Sequence, residues 1–310
     1  MERVLITGAS GFIGRHCVRL LSTGNYETHA VCLKGNQTDD VDVRWHQVDL
    51  LDFAELSALV SKVKPTHLLH LAWFAKPGEY WTSWENLRWV GSTLDLLRAF
   101  ASNGGQRVVM AGSSAEYDWR YGYCSEELTP TRPATLYGAS KHAVQCVLDA
   151  FAAQAKISAA WGRVFYLYGP YEHPHRLVAY VIRSLLRGEQ ARCSQGNQVR
   201  DFLYVEDVAR AFVGLLESNV SRTVNIASGE GIKLRELIFK IADLLEGRSL
   251  VELGSMPTSA GDPDLLLADV SRLRNEVGWT QRWSLEEGLR ETITWWKAQP
   301  ECQLVKTSTG

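Results

Sequence analysis

In the stretch LYGASKHA, Tyr137 and Lys141 stand four residues apart. On a helix that spacing puts both on one face. A lysine ammonium beside a phenol favours the phenolate, which makes Tyr137 usable as a general acid or base near neutral pH. A solvated helical pair has the same spacing. Ahead of it, VVMAGSSAEY reads as an apolar strand ending in Ser113 and Ser114. Open parallel sheets bind ligands at the carboxyl ends of their strands, where a serine can donate to a carbonyl oxygen. A turn serine satisfying its own backbone looks alike.

A third group lies near the start, in VLITGASGFIG. Gly8, Gly11 and Gly14 follow an apolar run at a spacing of three. In a dinucleotide-binding turn the first glycine permits the bend and the second lets a pyrophosphate approach the backbone. The third lets helix and strand pack closely. A plain strand-to-helix turn uses glycine too, but the context favours a cofactor. Phe12 and Ile13 belong to the same turn. After the next strand an acidic residue would select NAD and a basic one NADP; here stands Lys34, with Arg15 able to assist, so NADP is expected and NAD is the alternative. Asp49 in VDL, with Leu50 beside it, is placed to meet the adenine. Leu71 and Ala72, which close the following strand, are expected to contact the cofactor as well.

Positioning these groups requires alternating elements. Strands are expected at Arg3–Ile6, His29–Leu33, His67–Ala72, Arg107–Ala111, Ala159–Phe165 and Thr223–Ile226. Helices are expected at Phe12–Leu21, Phe53–Val63, Asn86–Ala101, Tyr137–Ala155, Val178–Leu186, Asp207–Leu216, Leu234–Leu245, Val270–Val277 and Leu285–Trp296. The alternation and the nearly all-apolar early strands imply an α/β fold, a doubly wound parallel sheet of the Rossmann kind covered on both faces. A smaller C-terminal substrate-binding domain is expected. The dinucleotide-binding domain takes 1–165, with 200–228 returning to it. The substrate domain takes 166–199 and 229–300, and 301–310 forms a loose tail.

The chain has 310 residues, 45% apolar, with a net charge of -2. That near-balance gives no surface for nucleic acid, and no apolar run is long enough to span a membrane. The six cysteines are scattered without a CxxC pair, so no metal site or disulfide framework is expected. A cytoplasmic protein with reduced thiols is the expectation.

TGASGFIG, HLAW, AGSSAEY, LYGASK and RDFLYVEDVARA, in that order across nearly the whole chain, resemble the extended short-chain dehydrogenase/reductase family. Within it, the chain is similar to the NAD(P)-dependent nucleotide-sugar epimerases, dehydratases and ketoreductases. The resemblance implies that Tyr137 is the acid/base, that Lys141 partners it and holds the nicotinamide ribose, and that Ser113, four residues before Tyr117, is the catalytic serine. Ser114 is the fallback and a substrate contact. Asn86 would lie near the cofactor, and Arg200 would grip the diphosphate of a nucleotide-sugar substrate. A homodimer through the helices Asn86–Ala101 and Tyr137–Ala155 is also implied.

Two departures matter. Dehydratases of the family carry an acidic pair directly after the catalytic residue, where this chain has Ser114 and Ala115, with Glu116 one position late. Where members often have Asn, in GRVFYLYGP, stands Tyr166. The resulting expectation is an NADPH-dependent nucleotide-sugar 4-ketoreductase, with a 4-epimerase as the alternative and a non-catalytic dinucleotide-binding relative as the rival from another class. The aromatic run with Trp73, Phe74, Tyr80, Trp81 and Trp84 either shapes a sugar pocket or packs a long loop.

Overall fold

The structure, a computed structural model, describes residues 2–34, 42–258 and 261–302. The first half runs β1 (Glu2–Thr7), α1 (Gly14–Ser22), β2 (Tyr26–Cys32), β3 (Arg44–Gln47), α2 (Phe53–Val63), β4 (His67–His70), α3 (Glu85–Ser102), β5 (Arg107–Ser113), β6 (Tyr123–Cys124), α4 (Leu136–Ala155) and β7 (Ser158–Val164). The second runs β8 (Tyr166–Tyr168), α5 (Leu177–Leu186), β9 (Ala191–Cys193), β10 (Val199–Tyr204), α6 (Val205–Glu217), β11 (Thr223–Ile226), β12 (Gly231–Lys233), α7 (Leu234–Leu244), β13 (Val251–Leu253), β14 (Leu265–Ala268), α8 (Ser271–Asn275) and α9 (Leu285–Lys297).

Seven strands form one sheet in the order β11-β7-β5-β4-β1-β2-β3, and every pairing in it is parallel. The order reverses between β1 and β4, the crevice where doubly wound sheets bind ligands. Successive residues of one strand enter different cores, which is why these strands read as continuous apolar runs. Val109 packs on the face covered by Val208 and Phe212. Its neighbours Val108 and Met110 pack on the face covered by Leu97, Phe100 and Leu148.

The second half adds a smaller sheet, β12-β10-β14-β6 with β8 beside β10, and the pair β13-β9. Within 200–228, β11 joins the large sheet whereas β10 belongs to the small one. β10 escapes sequence reading because its second and third residues, Arg200 and Asp201, are charged yet buried. Several expected elements are shorter than the apolar pattern suggests, among them the helix expected at Val270–Val277, which runs Ser271–Asn275. The first helix begins at Gly14 because the residues through Ile13 form the glycine turn. The strand from His67 ends at His70 because Leu71 and Ala72 bend away to donate to the Thr7 carbonyl and hydroxyl. The expected tail lies outside the described residues from 303 on.

Candidate active site

The glycine turn assigns a separate role to each glycine. Gly8 has φ +66°, and a Cβ there would strike the Ala72 backbone at 2.7 Å. A Cβ on Gly14 would collide with the Gly8 carbonyl, so Gly14 is what lets α1 close on the turn. Beside Gly11 the Gly8 carbonyl is the one close neighbour, at 3.0 Å. The space beyond it suits an approaching phosphate. α1 carries no capping side chain at its start, so no side chain competes with an anion there, while the Arg15 and His16 amides donate to the Gly11 and Ile13 carbonyls. These features fit the pyrophosphate of a dinucleotide. Phe12 and Ile13 are half-buried and pack toward the C-terminal core.

Ser113 ends β5 and caps the single turn Ser114–Glu116. Its hydroxyl oxygen accepts from the Ala115 amide at 3.2 Å, which leaves the O–H hydrogen to donate elsewhere. α4 starts at a Thr135 cap whose hydroxyl accepts from the Gly138 amide. Gly138 has no room for a side chain because the Ala115 carbonyl lies against it. That close approach brings Tyr137 up to Ser113.

Tyr137 is walled by Tyr80, edge-on at 4.8 Å, and Trp81 at 5.8 Å. Burial pushes its phenol well above the ordinary range, and the adjacent Ser113 hydroxyl pulls the other way. Lys141 is 4% exposed. Its ammonium donates to the Ala111 carbonyl at 2.9 Å and lies 3.8 Å from the centre of the Trp73 ring. Burial brings Lys141 from an ordinary 10.5 down to about 7, with the Glu116 carboxylate opposing. The expected lysine-lowered phenol is therefore corrected for this structure. The i, i+4 spacing is present, but the ammonium is engaged by Ala111 and Trp73, and desolvation decides the phenol. Beneath them His70 bridges the Thr7 and Thr93 hydroxyls, and burial lowers it to about 3, so it is neutral.

The remaining candidates divide. Lys34 is exposed just beyond β2. Asp49 is exposed and accepts from the Leu51 amide in its own turn, while Leu50 is buried. Asn86 is fully buried and spent on protein partners, donating to Tyr80 and Ser83 carbonyls and accepting from Trp73 Nε1. Ser114 is buried and its carbonyl accepts from Trp119 Nε1. Arg200 is 1% exposed. It donates to the Tyr166 hydroxyl at 3.0 Å and pairs with Asp262 at 2.6 Å.

Two contributors escape sequence reading, and a third, Glu116, is legible there only as an acid one position late. Arg176, just before α5, lies over the Tyr80 ring at 5.4 Å, and its charge reaches Tyr137. Asp262 holds Arg200. Glu116 points inward and is fully buried against Arg163 and Trp161. Arg176 and Asp262 have no local signal, because their partners are distant in sequence; Glu116 stands at capping-box spacing from Ser113, but its Trp161 and Arg163 partners are distant. Among the described residues no group of three His, Cys, Asp or Glu side chains could hold a metal.

The NAD dependent epimerase/dehydratase family matches residues 4–227. The chain belongs to that family. It is an enzyme of the extended short-chain dehydrogenase/reductase group, as the motif order implied. It is 34% identical to MoeE5, whose structure contains UDP-glucuronic acid and NAD; the match covers 95% of this chain and 98% of that one, with a TM-score of 0.82. It is 26% identical to the UDP-N-acetylglucosamine 4-epimerase of Methanobrevibacter ruminantium M1, over 95% of this chain and 98% of that one, with a TM-score of 0.85. It is 27% identical to UDP-glucuronic acid decarboxylase 1 of Danio rerio, over 97% of this chain and 74% of that protein. No helix among the described residues is long and apolar enough to cross a membrane.

Proposed function

We propose that this family member is a nucleotide-sugar 4-epimerase. The observation that carries the reading is the convergence of Ser113, Tyr137 and Lys141 at the carboxyl end of β5. The path from the glycine turn is short: Gly8 abuts Ala72, and the next residue, Trp73, holds Lys141. NAD or NADP, when bound, supplies a hydride acceptor and donor and, in its oxidised form, a positive ring. Ser113 donates to the sugar O4 and orients it. Tyr137 takes the O4 proton and later returns it, and Lys141 holds the ribose and the charge balance beside it. Donors thus stand where negative charge develops. Relatives described as 4-epimerases support this reading over the ketoreductase expected from sequence. Glu116, turned inward, argues against water elimination.

The same trio serves the 4-ketoreductase, and one observation favours that second reading: Lys34 stands where an acidic residue would select NAD. MoeE5 and the Thermus thermophilus UDP-glucose 4-epimerase were solved with NAD, so cofactor choice separates the two. Incubation with a panel of nucleoside-diphosphate hexoses should give C4 epimers with no net change in cofactor absorbance. Stoichiometric NADPH loss with 4-keto sugars, and no epimer, would replace the epimerase by the reductase. The homodimer fits this reading through exposed Trp84 and Leu87 near the start of α3 and Val147 on α4. The six free cysteines, five of them buried, suit a cytoplasmic setting.

A further inference from the structure

Glu116 is fully buried and ends the turn that follows Ser113. Its Oε1 accepts from the Ser113 amide at 2.7 Å and from Trp161 Nε1 at 3.0 Å. Its Oε2 accepts from Trp161 Nε1 at 3.0 Å and from Arg163 Nε at 2.7 Å. Arg163, on β7, is 3% exposed and also lies over the Tyr117 ring at 4.4 Å. The neighbouring strand is shaped for this carboxylate. A Cβ on Gly112 would collide with Trp161 Nε1 and come within 2.6 Å of Glu116 Oε1.

A buried ion pair is a poor device for stability, since an apolar pair of similar volume often does as well or better. Its place here has another consequence. The carboxylate lies under the amide of the residue whose hydroxyl must face the substrate, and its charge reaches both titrating groups. We propose that Glu116, paired with Arg163, is a positioning residue for Ser113, Tyr137 and Lys141: it anchors the Ser113 backbone from beneath and sets the field in which the other two exchange protons.

The groups facing the trio allow a sign to be assigned. Tyr137 is faced by Tyr80, Arg176, Ser113 and Glu116. Lys141 is faced by Glu116 and by the neutral His70. The Glu116–Arg163 pair is itself faced from α4 by Asp149 and Cys146 and from its own strand end by Tyr117. The Glu116 anion makes Lys141 and Tyr137 hold their protons more tightly. Without it both protons leave at lower pH.

The inference rests on reading the trio as the reacting set, so its test includes a readout that needs no substrate. Lysine ¹³Cε signals are titrated by NMR in the whole protein, with Lys141→Arg identifying the Lys141 signal. In the wild type it should change near pH 7. In Glu116→Gln, which keeps the shape and loses the charge, the transition should move down by about one unit or more. Glu116→Asp keeps the charge and loses reach. It should leave the transition within about a few tenths of a unit and lower kcat while KM stays, because Ser113 loses its anchor. If Glu116→Gln does not fold, Glu116→Gln/Arg163→Met leaves no buried charge unpaired and carries the same expected shift. An unmoved Lys141 transition in the folded charge-free variant would overturn the field role. Unaltered kcat in Glu116→Asp would overturn the anchoring role. A wild type inert toward every nucleotide sugar would instead count against the proposed function and leave the NMR result to decide Glu116.

Discussion

Ser113, Tyr137 and Lys141 sit at the end of β5 and the start of α4, on the large parallel sheet. Arg200, Tyr166 and Asp262 sit on the smaller sheet and the loop before β14. Each cluster holds one buried cation, Lys141 or Arg200, among half-buried partners, yet they are built in opposite ways. Lys141 has a carbonyl and an aromatic face for partners and, among the described residues, no carboxylate in a salt bridge, and burial works against its charge. Arg200 donates to the Val199 carbonyl, the Tyr166 hydroxyl and Asp262, and its charge is neutralised. An underpaired buried charge is destabilising and is retained where chemistry needs it; a paired one can hold a frame. Under the proposed function, proton transfer belongs to the first cluster and grip or scaffold to the second.

The sharpest break is Tyr137→Phe. It keeps the ring against Tyr80 and Trp81 but removes the proton carrier. Turnover should fall by about a hundred- to ten-thousand-fold, the usual worth of general acid–base catalysis, while calorimetric affinity for the nucleotide sugar stays. Near wild-type turnover would remove Tyr137 from the chemistry.

Arg200→Ala tests the other cluster. If Arg200 grips the diphosphate, a charged hydrogen bond is lost from binding, and KM should rise about ten- to a hundredfold with kcat little changed. If the cluster is only a frame, KM stays and the melting temperature falls. The first result is expected, with Asp262 yielding the guanidinium when substrate enters.

The smallest effect sharpens the idea of an underpaired charge. The folded Lys141 holds its proton less tightly, about 7 against 10.5, so the unfolded chain binds more protons between those values. The cost of burying the ammonium is then fully present below about pH 7 and is relieved as pH rises toward the unfolded value. Lys141→Met should lack turnover yet melt a few degrees higher than wild type at pH 6.5, with the gain shrinking by pH 9. Thermal scans at the two pH values read it directly; an equal or lower melting temperature at pH 6.5 would show the ammonium well compensated.

What the sequence displayed was local. The glycine spacing, the strand-helix alternation and the Tyr137–Lys141 pair each lie within one element or one connection, so periodicity exposes them. The Glu116–Arg163 and Arg200–Asp262 pairs join residues 47 and 62 positions apart, and only strand order brings them together. The direction of the Tyr137 shift escaped for the same reason. Spacing on α4 is legible, but the burial by Tyr80 and Trp81 that dominates it comes from another segment. β10 escaped because its second and third residues are charged and its burial is tertiary.

The central claim is that Ser113, Tyr137 and Lys141 invert C4 of a nucleotide sugar by moving one hydride off and back on the same carbon. The most direct measurement is ¹H NMR of nucleoside-diphosphate hexoses incubated in D₂O with NAD and either wild-type protein or Tyr137→Phe. The account predicts a C4 epimer formed by the wild type alone, with its C4 hydrogen retained and no solvent deuterium at that position. Deuterium at C4, or equal conversion by Tyr137→Phe, would contradict it.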